Sequence, residues 1–175
     1  SWHPNGSLMM VDWIGGYPLD ELGALWSVDA KSGTDNPLRR ETHTILSAGF
    51  SRRSETELVA RLAHRDQRVR QGAQLELAKR GQKEALLAVA RSASAMPIAR
   101  IHAIWGYGQL LRRNAAESAP IVVLLRDADP EIRRQSAKIL GDAARTAAKA
   151  DGKALIPLLS DESPRTRATA AISPA

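Results

Sequence analysis

Ile121-Val-Val-Leu-Leu-Arg-Asp-Ala-Asp-Pro-Glu-Ile-Arg-Arg-Gln-Ser-Ala-Lys-Ile-Leu-Gly141 contains two apolar stripes with a break between them. Ile121, Leu124 and Leu125 fall at i, i+3 and i+4, the spacing of one helical face. Asp127 and Asp129 interrupt that pattern. Asp129 is placed to cap a second helix, and Pro130 sits at its first position, where a missing N–H costs nothing. Ile132, Ser136, Ile139 and Leu140 then share the inner face of that helix, with Ala137 small enough for close packing.

The same register recurs on both sides. Gln67, Pro97, Pro130 and Pro164 hold one position of it, and Arg70, Arg100, Arg133 and Arg167 hold the position three residues later. The arginines lie 30, 33 and 34 residues apart. The first repeat carries Leu58, Val59 and Leu62, then Asp66, then Val69, Ala73 and Leu77, and Ser54 with Glu57 has the spacing of a capping box. The second runs through Leu86, Leu87 and Val89, then Pro97, then Ala103, Ile104, Tyr107 and Leu110. The fourth has Leu155, Ile156, Leu158 and Leu159, then Asp161 and Pro164, and stops at Ile172-Ser-Pro-Ala175. Helical repeats of this length predict an all-α fold, an α-solenoid of about four helical hairpins over residues 54–175.

Residues 1–30 read differently. A Pro-Asn-Gly turn at 4–6 precedes the apolar run Leu8 to Trp13, Gly15-Gly16-Tyr-Pro18 is a loop, and Gly23 to Val28 is a second short strand. Together they predict a β-hairpin, with Trp13 and Trp26 as apolar-face residues or anchors. Residues 31–53 read as a linker holding a short helix from about Pro37 to Ser47, ended at Gly49.

The 175 residues contain no cysteine, so they hold no disulfide, thiolate metal site or covalent c-type haem. No apolar run reaches the roughly 20 residues that a membrane span needs. The chain begins at Ser1, and both ends read as cuts in a longer polypeptide. Its net charge of +6 is uneven. Residues 1–38 have one lysine against five acids, net −4; residues 39–83 have eleven Lys/Arg against five acids, net +6. Within the basic block, Arg52, Arg53, Arg61, Arg65 and Arg68 form a candidate surface for nucleic acid, anionic lipid or an acidic partner. The competing reading is a solvated helix face.

Four histidines, His3, His43, His64 and His102, show no metal-ligand spacing, and no P-loop, nucleophile elbow or dinucleotide fingerprint occurs. His64 is expected in an inter-helix turn, and His102 packed in a helix beside Trp105. Trp105 reads as filler between repeats two and three, or as an exposed anchor for a partner. Gly106 and Gly108 read as positions of close helix contact.

The repeats resemble HEAT repeats, in the short form of the phycobilisome-lyase-like group: Leu-x-x-Leu-Leu-x-Asp-x-Asp-Pro-x-Val-Arg-x-x-Ala-x-x-x-Leu-Gly. Repeats one and three match best; repeat two has an insertion around Ser92–Met96 and lacks the aspartate before its proline. The resemblance implies that Asp66, Asp129 and Asp161 cap their helices. It also implies that Arg70, Arg100, Arg133 and Arg167 form a structural ladder between repeats, or alternatively a basic stripe that grips phosphates, as in HEAT-like DNA glycosylases. The front end resembles the last blade of a β-propeller. The order of parts resembles the propeller–HEAT junction of membrane-bound-dehydrogenase-like proteins, large secreted proteins of planctomycete-type bacteria. That resemblance implies a periplasmic or secreted setting and neighbouring propeller and cytochrome c modules, with quinone and haem chemistry outside these residues. The expected function is a non-catalytic scaffold for a protein or a neighbouring domain, with no cofactor in this segment. Three alternatives stand beside it: an accessory segment of a quinoprotein/cytochrome c electron-transfer protein, nucleic-acid binding through the basic surface, and a bilin-lyase-like activity.

Overall fold

The computed structural model describes residues 2–12, 23–33, 35–145 and 152–173, and the chain divides into two compact units, Ser1–Phe50 and Ser51–Ala175. It is mostly helical, with one antiparallel two-stranded hairpin. Among the described residues no helix is long and apolar enough to cross a membrane.

In the first unit, β1 (Leu8–Asp12) pairs with β2 (Ala24–Val28), with Met10 opposite Trp26 and Val11 opposite Leu25. Trp13 and the 15–18 loop lie outside the described residues. Helix α1 (Pro37–Ala48) starts where Asn36 accepts the Leu38 N–H, with Pro37 just inside. It ends at Gly49, whose φ of 70° is the left-handed conformation that a glycine adopts without cost. The expected linker helix belongs with the hairpin. Its Arg39 donates to the Asn5 carbonyl and pairs with Asp29, and this clasp ties α1 to the open end of the hairpin, where β1 begins and β2 finishes.

In the second unit, α2 (Glu55–Arg61) begins with the capping box of Ser54 and Glu57. It is followed by α3 (Gln67–Lys79), α4 (Lys83–Arg91), α5 (Pro97–Arg112), α6 (Ala119–Val122), α7 (Pro130–Ala144) and α8 (Pro164–Ile172). Helix α3 packs on α5, α5 on α7, and α7 on α8, while α2 and α4 cover the first two of these. Leu58, Leu62, Val69, Ala73, Leu77, Leu86, Ala103, Ile104, Ile121, Ile132, Ala137 and Leu140 are completely buried, so the i, i+3, i+4 stripes are the core.

Two first helices differ from expectation. In repeat three the run Ile121–Leu125 is a four-residue α-helix continued as a tighter 3-10 turn, Val123–Arg126. In repeat four the corresponding segment is a 3-10 helix, Gly152–Ser160, with Pro157 inside it. Pro157 has no N–H for an i−4 bond, which favours the tighter winding over an α-helix. Of its apolar residues only Leu155 and Leu158 are buried; Ile156 and Leu159 face solvent.

Candidate functional site

The register arginines occupy the first turns of α3, α5, α7 and α8, close to the turns that join each helix pair. Two of them link one turn to the next. Arg100 donates from Nε to the Ala90 carbonyl at 2.9 Å, at the end of α4, and its guanidinium pairs with Asp127 in the following turn. Arg133 is 7% exposed. It donates to the carbonyls of Asp127 and Ala128 in its own turn and reaches Asp161 at 2.8 Å and Glu162 at 3.0 Å in the next. The Arg133 guanidinium holds the Asp161 carboxyl below the usual carboxylate range. Burial alone raises the Asp127 carboxyl, but hydrogen bonds from Arg100 and the Asp129 N–H outweigh it and hold it low.

The outer members behave differently. Arg167 is exposed and donates to the Asp161 and Glu162 carbonyls of its own turn. Arg70 likewise binds the His64 and Arg65 carbonyls, and its Nε–H points to His102 Nε2 at 3.1 Å. The cause lies three residues before each helix start. Asp127 and Asp161 hold that position before Pro130 and Pro164, whereas Ser94 holds it before Pro97. Arg70 therefore has no carboxylate in the next turn and uses an imidazole instead.

This alignment also corrects one expected role. The cap is the residue immediately before the helix: Asp66 accepts the Arg68 N–H and Asp129 the Glu131 N–H, both at 2.8 Å. In repeat four that residue is Ser163, which accepts from Thr166, and Asp161 does not cap α8. Asp161 accepts the Ser163 N–H at 2.8 Å and serves as the acceptor for Arg133. The i, i+4 pairs Asp66/Arg70 and Asp129/Arg133 do not form ion pairs, because each aspartate turns to the helix N-terminus and each arginine to the loop carbonyls.

A buried polar relay lies behind the ladder. His102 is 2% exposed. Arg70 occupies its Nε2 as donor, so its proton sits on Nδ1, 2.8 Å from Gln74 Oε1. Burial, then the adjacent Arg70 charge, push His102 down to about 4. Its ring meets Trp105 edge-on at 5.0 Å between centroids. The Trp105 indole N–H donates to Gln135 at 2.8 Å, Gln135 to Glu131 at 2.7 Å, and Glu131 pairs with Arg134. Sequence reasoning placed His102 in a helix beside Trp105 but missed this relay. The signal was there: His102 and Gln135 both stand two residues after a register arginine.

The basic block is largely paired with nearby carboxylates. Arg53 and Arg61 share Glu57, and Arg68 pairs with Asp66, while Arg52 and Arg65 are exposed. Trp105 is apart from them, in a cleft with Gln74, Gln109, Arg112, Lys138, Ile139 and Asp142. Among the described residues no His/Asp/Glu cluster is arranged to hold a metal ion. No protein-family model and no curated protein matches this chain.

Proposed function

We propose that residues 54–175 form a HEAT-like α-solenoid and act as a non-catalytic scaffold that holds a protein or a neighbouring domain. The observation that carries this reading is the turn-to-turn linkage of Arg100 with Asp127 and Arg133 with Asp161. Ladder arginines whose donors are committed to carbonyls and carboxylates inside the fold brace successive repeats, and they are poor phosphate ligands. The stacking of α3, α5, α7 and α8 in sequence supports the same arrangement. Crosslinking in the native cell tests it. Lysine-directed crosslinks from this segment to protein are expected; ultraviolet crosslinks to nucleic acid alone, with complexes that dissolve steeply as salt rises, overturn it in favour of nucleic-acid binding.

A second reading concerns the hairpin. Val11 is 84% and Leu25 65% exposed on one face, and Met10, Trp26 and Val28 are exposed on the other. A two-stranded ribbon apolar on both faces is marginal in water by itself. This supports an outer hairpin of a larger propeller-like sheet, as in the membrane-bound-dehydrogenase-like proteins that the sequence resembles. The denatured mass of the protein from its native source decides: a value far above 19.0 kDa is expected, and 19.0 kDa removes the reading.

A further inference from the structure

Five residues after each register arginine stand Leu75, Trp105, Lys138 and Ile172. They belong to α3, α5, α7 and α8, which pack in that order, so these positions form a row across neighbouring helices. Leu75 is 47% exposed, although it lies on a helix whose other large apolar residues, Val69 and Leu77, are buried, and Ile172 at the end of α8 is 78% exposed. Between them, Trp105 is half-buried in its cleft. The indole is fixed from two sides, by the hydrogen bond to Gln135 and by the edge of His102. A ring held this way loses little freedom when something binds it, which is the property of an interface anchor.

Around the ring, the polar groups are unevenly used. Gln74 is committed to His102, and Asp142 to Lys138 and Arg145. Gln109 and Arg112, one and two turns beyond Trp105 on α5, make no side-chain hydrogen bond or ion pair among the described residues. Arg112 and Lys138 line the cleft, and Arg145, the residue that closes α7, joins Lys138 on Asp142, the carboxylate of the lining. The cleft is thus centred on an aromatic ring with the cationic side chains of Arg112 and Lys138 beside it.

We propose that this face is the docking groove of the scaffold, and that its occupant is an extended acidic peptide segment of a partner protein. An apolar side chain of the peptide packs on the Trp105 ring and toward Leu75, and a carboxylate takes the free donors of Arg112 and Gln109. Charge complementarity points to an acidic occupant. The committed indole N–H leaves the ring face to pack against an apolar side chain of the occupant. Asp142 within the cleft, and the exposed leucine and isoleucine in the row, disfavour a phosphate backbone. The inference rests on the scaffold reading and adds the place and the chemistry of the partner.

The test uses the full chain on arrays of short peptides, one array rich in Asp and Glu with scattered Leu and Phe, the other with Lys replacing the acids, alongside an oligothymidine strand. Binding to the acidic array alone is expected. Arg112→Glu, a change at an exposed side chain with no internal partner, is expected to weaken it by about tenfold or more, as removing a charge pair at an interface does. Trp105→Phe keeps a ring but loses the Gln135 bond, and is expected to weaken binding with the helical circular dichroism unchanged. Equal binding to both arrays, indifference to Arg112→Glu, or preference for oligothymidine overturns the proposal. If the arrays fail while cellular crosslinks to protein persist, the groove falls and the scaffold stands; if both fail, both fall.

Discussion

Arg133 and Arg167 occupy the same register position and make the same bonds to the carbonyls of their own turns. They differ in what lies beyond. Arg133 is buried against Asp161, whose side chain is itself buried, whereas Arg167 is exposed. Removing one member of a buried pair leaves the other charge without compensation, at a cost of about 3 kcal/mol. Exposed ion contacts contribute at most about 1 kcal/mol. Arg133→Ala is therefore expected to lower the urea midpoint strongly and Arg167→Ala slightly. Equal effects in chemical denaturation count against the ladder. An intact stability in Arg133→Ala joined to a loss of anion binding reverses its assignment from brace to ligand.

At the scale of the helix, the contact between α5 and α7 turns on one missing side chain. A Cβ at Gly108 meets Ile139 Cβ and Cγ2 at 2.9 Å, atoms next to the α7 backbone that have no room to give. A Cβ at Gly106 meets the end of the Leu86 side chain at 2.9 Å, which has rotamers available. Alanine gains about 1 kcal/mol of helix propensity over glycine at either position. Overpacking a tight core costs about 1–3 kcal/mol. Gly108→Ala is expected to lower the melting temperature clearly, and Gly106→Ala to leave it nearly unchanged. Comparable melting of both variants contradicts this account of the α5–α7 approach. The two glycines stand out in the sequence inside a helical pattern, but which of them carries the close contact depends on the crossing of two helices.

The molecule as a whole carries an acid response in two steps. His102 is neutral in the fold, with its value lowered from 6.5 to about 4. A depressed value means that the unfolded chain takes up the proton first. Its contribution is therefore complete above pH 6.5 and is lost as the pH falls toward 4. Arg133 holds Asp161 low, Arg68 holds Asp66 low and Arg134 holds Glu131 low, so these carboxyls contribute above the ordinary carboxylate range and are lost below it. Denaturation midpoints followed against pH are expected to show a first decline between neutrality and about pH 4 and a steeper one below. His102→Gln, which can still accept from Arg70 and donate to Gln74, is expected to abolish the first decline and keep the second. A first decline that survives in His102→Gln assigns it to other groups.

What the linear order of residues determined was everything local. The i, i+3, i+4 stripes, Pro at the first helical position, the Ser54–Glu57 capping box and Gly49 act within a few residues, and the starts of α2 and α7 and both ends of α1 follow from them. The hairpin was legible for the same reason, although Trp26 and Val11 say nothing by themselves about what covers them. Tertiary structure decided the long-range partners. Whether Asp161 capped its own helix or received an arginine from 28 residues earlier depended on which turns came side by side. The pairing of Arg70 with His102, 32 residues away, and of Trp105 with Gln135, 30 away, arose only when α3, α5 and α7 were laid together. Periodicity names the face a side chain is on, but a hydrogen bond needs two faces brought within about 3 Å, and packing alone does that.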